Sequence, residues 1–139
     1  MDKEFISFEQ AKVLKELGFD ETCFMYWKYE PDGKAYKYYF SEPNVENEVG
    51  SNNSDEATFV VCTAPLWQQA FEFFRDKYSA HSHISKYKDN NFYHYDIFVD
   101  VVEEGEEYYE SYVCDVLFNT YEEAQSACLD KLIELAKDR

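Results

Sequence analysis

The sequence predicts an α+β fold, in which an antiparallel sheet carries three helices packed mainly on one of its faces. The predicted element order is α-β-β-α-β-β-β-α. Three segments repeat apolar residues at helical spacing, and the segments between them are aromatic-rich runs joined by short turns. Short turns join antiparallel strands, whereas parallel strands need long crossovers. With 139 residues, of which 45% are hydrophobic, we expect a single domain over residues 1–139.

The first helix and the hairpin that follows it have clear boundaries. Ser7 and Gln10 have the spacing of a capping box, in which each side chain binds the backbone N–H of the other residue. Gly18 is placed to end the helix in a left-handed conformation. Residues 24–29 and 35–40 are tyrosine-rich, and the Pro-Asp-Gly sequence between them predicts the tight turn of a β-hairpin.

The middle of the chain combines a loop, a short strand and a second helix. Residues 41–57 mix turn-forming residues with acids, which predicts a mobile acidic loop. The TFVVC run at 58–62 is a candidate for a short strand. The second helix is predicted to open at Thr63, a capping residue, with Pro65 in its first turn. Its apolar stripe consists of Trp67, Ala70, Phe71, Phe74 and Tyr78.

Three strands and a final helix are predicted after residue 80. The strands are 81–88, 92–102 and 108–118, and the central strand places its odd-numbered residues on one face. Thr120 and Glu123 have the spacing of a second capping box, at which the last helix begins. The predicted buried face of this helix consists of Tyr121, Ala124, Cys128, Leu132 and Leu135.

The charge and hydropathy of the chain exclude several classes of function. Asp and Glu number 29 against 13 Lys and Arg, which gives a formal net charge of -16. This charge argues against direct binding to nucleic acid or to an anionic membrane. No apolar run approaches the ~18 residues that a membrane helix needs. The N-terminal residues show no signal-peptide pattern, so we expect a cytoplasmic protein.

Sequence motifs for catalysis or cofactor binding are missing. The cysteines at 23, 62, 114 and 128 are far apart, and we expect buried free thiols in a reducing compartment. The four glycines are too widely spaced for a dinucleotide-binding or phosphate-binding loop, and no HExxH or GxSxG motif occurs. We therefore expect a non-enzymatic protein with no catalytic residues and no cofactor.

The three histidines are weak candidates for a metal site. His81 and His83 lie on one face of a predicted strand, ~6–7 Å apart by strand rise. His94 lies on the adjoining strand, and a nearby carboxylate could complete a set of metal ligands. The alternative, which we favour, is that these are exposed polar residues of an edge strand, so that no metal is expected.

Tyrosine is the most unusual feature of the composition, with 13 residues. Adjacent residues of a strand point to opposite faces, so the pairs at 38–39 and 108–109 cannot each place both rings in one core. Tyrosine is enriched at protein interfaces, although packing on a pleated sheet also favours it. The acids of residues 103–107 could bind a cation or a basic partner, or could simply keep a sheet edge solvated. The candidate binding surface consists of Tyr38, Tyr39, Glu103, Glu104, Glu106, Glu107, Tyr108, Tyr109 and Glu110.

Three helical stretches carry a resemblance to a known family. They are SFEQAKVLKELGFD with a cysteine close behind, within residues 7–23, CTAPLWQQAFEFFRDKY at 62–78, and TYEEAQSACLDKLIEL at 120–135. These stretches resemble small proteins of unknown function encoded by phages and prophages of Bacteroides and its relatives. The resemblance implies a cytoplasmic protein derived from a virus or mobile element, and it supplies no activity and no catalytic residues. The segment 41–57 has no counterpart in the resemblance.

Two functional hypotheses follow from these observations. In the first, the protein is a non-enzymatic module that binds another protein, of host or phage, or a second copy of itself, through an aromatic and acidic sheet surface. In the second, it is an acidic nucleic-acid mimic that inhibits a host DNA- or RNA-binding protein. The oligomeric state and the identity of the partner do not follow from the sequence.

Overall fold

The computed structural model describes residues 2–40, 51–52 and 61–138. The described residues confirm the α+β class and its antiparallel strand pairing, with the strands divided between two three-stranded sheets. The α-helices are α1 (Phe8–Glu16), α2 (Trp67–Tyr78) and α3 (Tyr121–Lys137), and a short 3-10 helix spans Asp2–Glu4. The strands are β1 (Met25–Tyr29), β2 (Ala35–Tyr39), β3 (Cys62–Thr63), β4 (Ala80–Lys86), β5 (Tyr93–Glu103) and β6 (Glu106–Val113).

The chain divides into two compact units, Met1–Ala70 and Phe71–Arg139. The first unit contains α1 and a sheet with the strand order β2-β1-β3. The second unit contains a sheet with the order β4-β5-β6, together with α3.

The helix cap and the hairpin turn predicted for the first unit both form in the structure. The Gln10 N–H donates to the Ser7 hydroxyl at 3.2 Å, and the Ser7 N–H donates to the Gln10 side-chain oxygen at 3.1 Å, so the capping box is complete. Gly18 follows the helix with φ +100°. Gly33 adopts φ +83° in the turn between β1 and β2, and this confirms the predicted hairpin.

A half-buried asparagine links the segment that follows α1 to β3 inside the first unit. The Asn52 amide group donates to the Phe19 carbonyl at 2.7 Å, directly after α1. The Asn52 side-chain oxygen accepts from the Thr63 N–H at 2.9 Å. Residues 51 and 52 are the described part of the predicted acidic loop 41–57, whose other residues lie outside the described ranges. Residues 58–60 of the candidate strand at 58–62 also lie outside them.

The prediction that α2 opens at Thr63 is wrong. Thr63 lies in β3, fully buried and opposite Tyr26 of β1, and α2 begins at Trp67. The Leu66 N–H donates to the Gln69 side chain at 3.0 Å, which satisfies a donor at the true start of the helix. The Thr63 hydroxyl binds Asn52 at 3.3 Å, so a contact with a distant segment replaces the local cap.

In the second unit, β5 and β6 form a hairpin closed by two residues. Glu103 pairs with Glu106 across the turn, and Glu104 and Gly105 have φ values of +52° and +83°. Two successive left-handed residues are the mark of a type I′ turn, whose twist matches that of the flanking strands. The strand therefore starts at Glu106, two residues before the predicted start of 108–118, and it ends at Val113.

Helix α3 packs against β4 and β5 on one face of their sheet. The Glu123 N–H donates to the Thr120 hydroxyl at 3.1 Å, and the Glu123 carboxylate accepts from the Asn119 N–H at 3.2 Å, so the predicted start is confirmed. Tyr121, predicted on the buried face, is exposed at the first turn. The buried helix residues are Ala124, Cys128, Leu129, Leu132, Ile133 and Ala136, and the sheet contributes Ile97 and Val99 to this core.

Candidate functional site

The β4-β5-β6 sheet has one face covered by α3 and one face turned to solvent. Ile97 is fully buried on the covered face, and the Lys131 ammonium of α3 lies 5.7 Å from the ring of Tyr112, the partner of Ile97 in β6. Alternation along a strand sends the neighbouring residues to the opposite side. We call that side the outer face; its residues from the β5-β6 hairpin are Asp96, Phe98, Asp100, Val102, Glu107, Tyr109, Ser111 and Val113.

Large apolar side chains are exposed on the outer face. Phe98 is 44% exposed, Val102 67%, Tyr109 75% and Val113 59%. Scattered apolar residues are normal on a protein surface, but these four lie on two paired strands and form one patch. A patch of this kind on a sheet is a usual feature of an interaction site.

Carboxylates alternate with these apolar residues. Directly opposite residues of an antiparallel pair have Cβ atoms about 4.5–5.5 Å apart, so each cross-strand pair is in contact. The pairs on the outer face are Asp96 with Val113, Phe98 with Ser111, Asp100 with Tyr109, and Val102 with Glu107. Three of the four pairs therefore place a carboxylate beside an exposed apolar side chain.

A shallow pocket of about 390 Å³ lies toward the turn end of the hairpin. Four of its lining residues belong to the outer face, namely Asp100, Val102, Glu107 and Tyr109. Val101 and Tyr108 lie between them along the strands and complete the lining. The pocket therefore presents two carboxylates, one aromatic ring and one aliphatic side chain to an incoming group.

The hairpin is uniformly acidic. The sequence has no Lys or Arg between Lys88 and Lys131. Over the same stretch, the acids of β5, β6 and their turn are Asp96, Asp100, Glu103, Glu104, Glu106, Glu107 and Glu110. A surface with charges of one sign attracts ligands of the opposite sign and repels its own kind.

The tip of the hairpin departs from the residue choices that a stable turn favours. Glu104 adopts φ +52°, a region that glycine and asparagine occupy more readily than glutamate. Glu103 and Glu106 are directly opposite, and like charges at such positions are destabilising.

The histidines do not form a common site. His81 Nε2 lies 3.4 Å from the Asp100 carboxylate, and His83 is paired with Asp96 across the strands. The His94 ring packs on Tyr87 with centroids 4.4 Å apart, and its Nδ1 lies 3.8 Å from Asp96. Among the described residues, no three His, Cys, Asp or Glu side chains are grouped so as to hold a metal ion.

The predicted surface residues are distributed over several places. Glu107 and Tyr109 lie on the outer face, and Glu103, Glu104 and Glu106 are exposed at the hairpin tip. Tyr108 and Glu110 belong to the opposite face, where the Tyr112 hydroxyl donates to the Glu110 carboxylate at 2.9 Å.

Tyr38 and Tyr39 belong to the first unit, on β2. The Tyr38 hydroxyl donates to the Glu30 carboxylate, and this bond raises the pKa of Tyr38 to about 12. Its ring stacks on Tyr26 with centroids 5.9 Å apart, so Tyr38 is held by its neighbours. Tyr39 is 52% exposed.

Sequence reasoning missed Phe98, Val102 and Val113 of the outer face. Phe98 and Val102 are even-numbered, like Asp96 and Asp100, so strand alternation already placed them on the same face as these two acids. The missing information was which face of the strand the final helix covers.

The cysteines are free thiols, as predicted, and three of them are fully buried. Burial raises the pKa of Cys23 to about 11 and the pKa of Cys62 and Cys128 to about 12. Cys114 is half-buried, and its sulfur accepts from the Tyr95 N–H at 3.2 Å. A thiol with a raised pKa is a poor nucleophile at neutral pH.

No family model, curated protein or solved structure matches this chain. The resemblance to phage and prophage proteins therefore stays a prediction. Among the described helices, none combines the length and the apolar character needed to cross a membrane.

Proposed function

We propose that this protein is a non-enzymatic, cytoplasmic protein-binding module of phage or prophage type, which binds its partner through the outer face of the β4-β5-β6 sheet. The observation that carries the proposal is the exposed patch of Phe98, Val102, Tyr109 and Val113, placed between carboxylates. Burying an apolar surface on a partner contributes about 25 cal/mol for each Å² removed from water.

Aromatic anchors and charged neighbours have different roles in such a contact. Phe98 and Tyr109 supply large rigid surfaces, and residues of this type dominate the binding energy of interfaces. The surrounding carboxylates raise the association rate for a basic partner and disfavour acidic ones. A surface with both features selects a partner by charge and retains it by apolar contact.

The acidic hairpin also favours a second candidate function, the nucleic-acid mimic. Its motivation is the run of acids without Lys or Arg between residues 88 and 131. In that case the partner is a host DNA- or RNA-binding protein, and the carboxylates occupy its cationic groove. The apolar patch then contributes little to the affinity.

Affinity capture from a bacterial host lysate, followed by binding measurements with the protein recovered, tests the proposal. The test variant is the double substitution Phe98→Ala with Tyr109→Ala, and the matched control is Phe24→Ala, which removes a ring that is 52% exposed in the first unit. We expect the double variant to weaken binding at least about tenfold and the control to bind like the wild type. Circular dichroism checks that each variant is folded.

Ionic strength separates the two candidate functions. Binding that resists salt and depends on Phe98 and Tyr109 supports the protein-binding module. Salt-sensitive binding to a nucleic-acid-binding protein, unchanged in the double variant, supports the mimic and contradicts the first proposal.

A further inference from the structure

Among the described strands, β6 forms one edge of the β4-β5-β6 sheet. It pairs with β5 on one side, and no described strand pairs with its other side. An edge strand presents unpaired N–H and C=O groups, which can accept another strand.

The register establishes which residues of β6 point their backbone groups away from β5. In a hairpin with a two-residue turn, the residues that flank the turn form a hydrogen-bonded pair, and bonded and non-bonded pairs then alternate. Glu103 and Glu106 flank the turn, so the even-numbered residues of β6 bond to β5. The next even-numbered residue continues this alternation, because the Cys114 N–H donates to the Tyr95 carbonyl at 3.3 Å.

The odd-numbered residues of β6 therefore direct their N–H and C=O groups to the open side of the sheet. These residues are Glu107, Tyr109, Ser111 and Val113. The same four residues place their side chains on the outer face. A strand added at this edge would gain backbone hydrogen bonds and side-chain contacts from one set of residues.

Charge decides which kind of strand fits. A second copy of β6 would add the carboxylates of its own Glu106, Glu107 and Glu110 to an edge that already carries these three, and charges of one sign repel each other. A segment with Lys or Arg at alternate positions would place its cations on the outer face, in the row next to Glu107. The apolar residues between those cations would point to the opposite face of the sheet, beside Tyr108 and Tyr112.

We propose that the open edge of β6 binds an extended, basic protein segment as a fourth strand, with backbone bonds to Glu107, Tyr109, Ser111 and Val113. This inference rests on the proposed function and names the chemistry and the binding mode of the partner.

Amide hydrogen exchange, followed by NMR with a synthetic peptide, tests the inference. The probe is an octapeptide of alternating Lys and Val, and the control probe alternates Glu and Val. We expect the basic peptide to protect the amides of Glu107, Tyr109, Ser111 and Val113 selectively, because the even-numbered amides of β6 are already bonded. The acidic peptide should change none of them.

Two modifications remove the backbone bonds and leave the charges in place. Ser111→Pro removes an N–H that β5 does not use, so it is compatible with an edge strand, and Ser111→Ala keeps the N–H as the control. A second test uses the wild-type protein and two N-methylated forms of the Lys-Val peptide. One form is methylated at the odd-numbered residues of the peptide and the other at the even-numbered residues, so only one of them loses the N–H groups that face β6. We expect Ser111→Pro, and one of the two methylated forms, to weaken binding about tenfold.

The outcomes separate this inference from the proposed function. Binding of the basic peptide that is unchanged by Ser111→Pro and in both methylated forms would overturn strand addition and leave binding by the outer face standing. Failure of the basic peptide to bind at low ionic strength would also overturn the inference. Whether the partner still binds after Phe98 and Tyr109 are replaced by alanine is a separate measurement, and that measurement tests the proposed function alone.

Discussion

Replacing Glu104 by asparagine should stabilise the protein, although glutamate makes up much of the surrounding surface. Glu104 is the first residue of the type I′ turn and has φ +52°. A left-handed conformation costs an ordinary L-residue about 1–2 kcal/mol, and asparagine adopts it more readily. The substitution therefore relieves backbone strain at the hairpin tip.

Two effects contribute to the expected gain. Relief of the backbone strain should contribute about 1 kcal/mol. Loss of one negative charge beside Glu103 and Glu106 should add a few tenths of a kcal/mol, since exposed charges interact weakly in water and salt screens them. We expect Glu104→Asn to raise the free energy of unfolding by about 1–1.5 kcal/mol.

Glu104→Gln separates the two effects, because it removes the charge and keeps a side chain unsuited to positive φ. Urea unfolding, followed by circular dichroism at low and high ionic strength, gives the free energy of unfolding of each variant. Glu104→Asn should remain more stable than Glu104→Gln at high salt, where the charge effect is screened. Equal stability of the two variants would refute the conformational argument.

Three further predictions concern Asn52 and the cysteines. Asn52→Ala should lower the free energy of unfolding by about 1–3 kcal/mol in urea titrations, because it leaves the buried Thr63 N–H without its hydrogen-bond partner. A loss below about 0.5 kcal/mol would contradict this role. The pKa of Cys128 rises from 9.0 to about 12 on burial, so folding favours the neutral thiol. This preference for the neutral thiol therefore stabilises the protein fully below about pH 9, and the stabilisation is lost as the pH rises toward 12. Cys128→Ala should make the free energy of unfolding, measured by urea unfolding, fall less steeply at alkaline pH. At neutral pH, iodoacetamide labelling followed by mass spectrometry should modify the half-buried Cys114 first; faster labelling of Cys62 would contradict the assignment.

Elements governed by neighbouring residues could be predicted well. The caps at Ser7 and Thr120 need only residues three or four positions away, and both form in the structure. The Pro-Asp-Gly turn and the alternation of β5 are equally local. In each case the interaction closes over a few residues, so the pattern of residues is enough to indicate it.

The start of α2 and the makeup of the outer face depended on residues far apart in the chain. Thr63 is a good helix cap by type, but the side chain of Asn52, 11 residues earlier, binds it and holds it in a strand. Phe98 lies in the solvent because α3 packs on the opposite face of its strand. Alternation separates a strand into two faces, and the docking of another element then determines which face is buried, because that choice depends on packing across the whole unit.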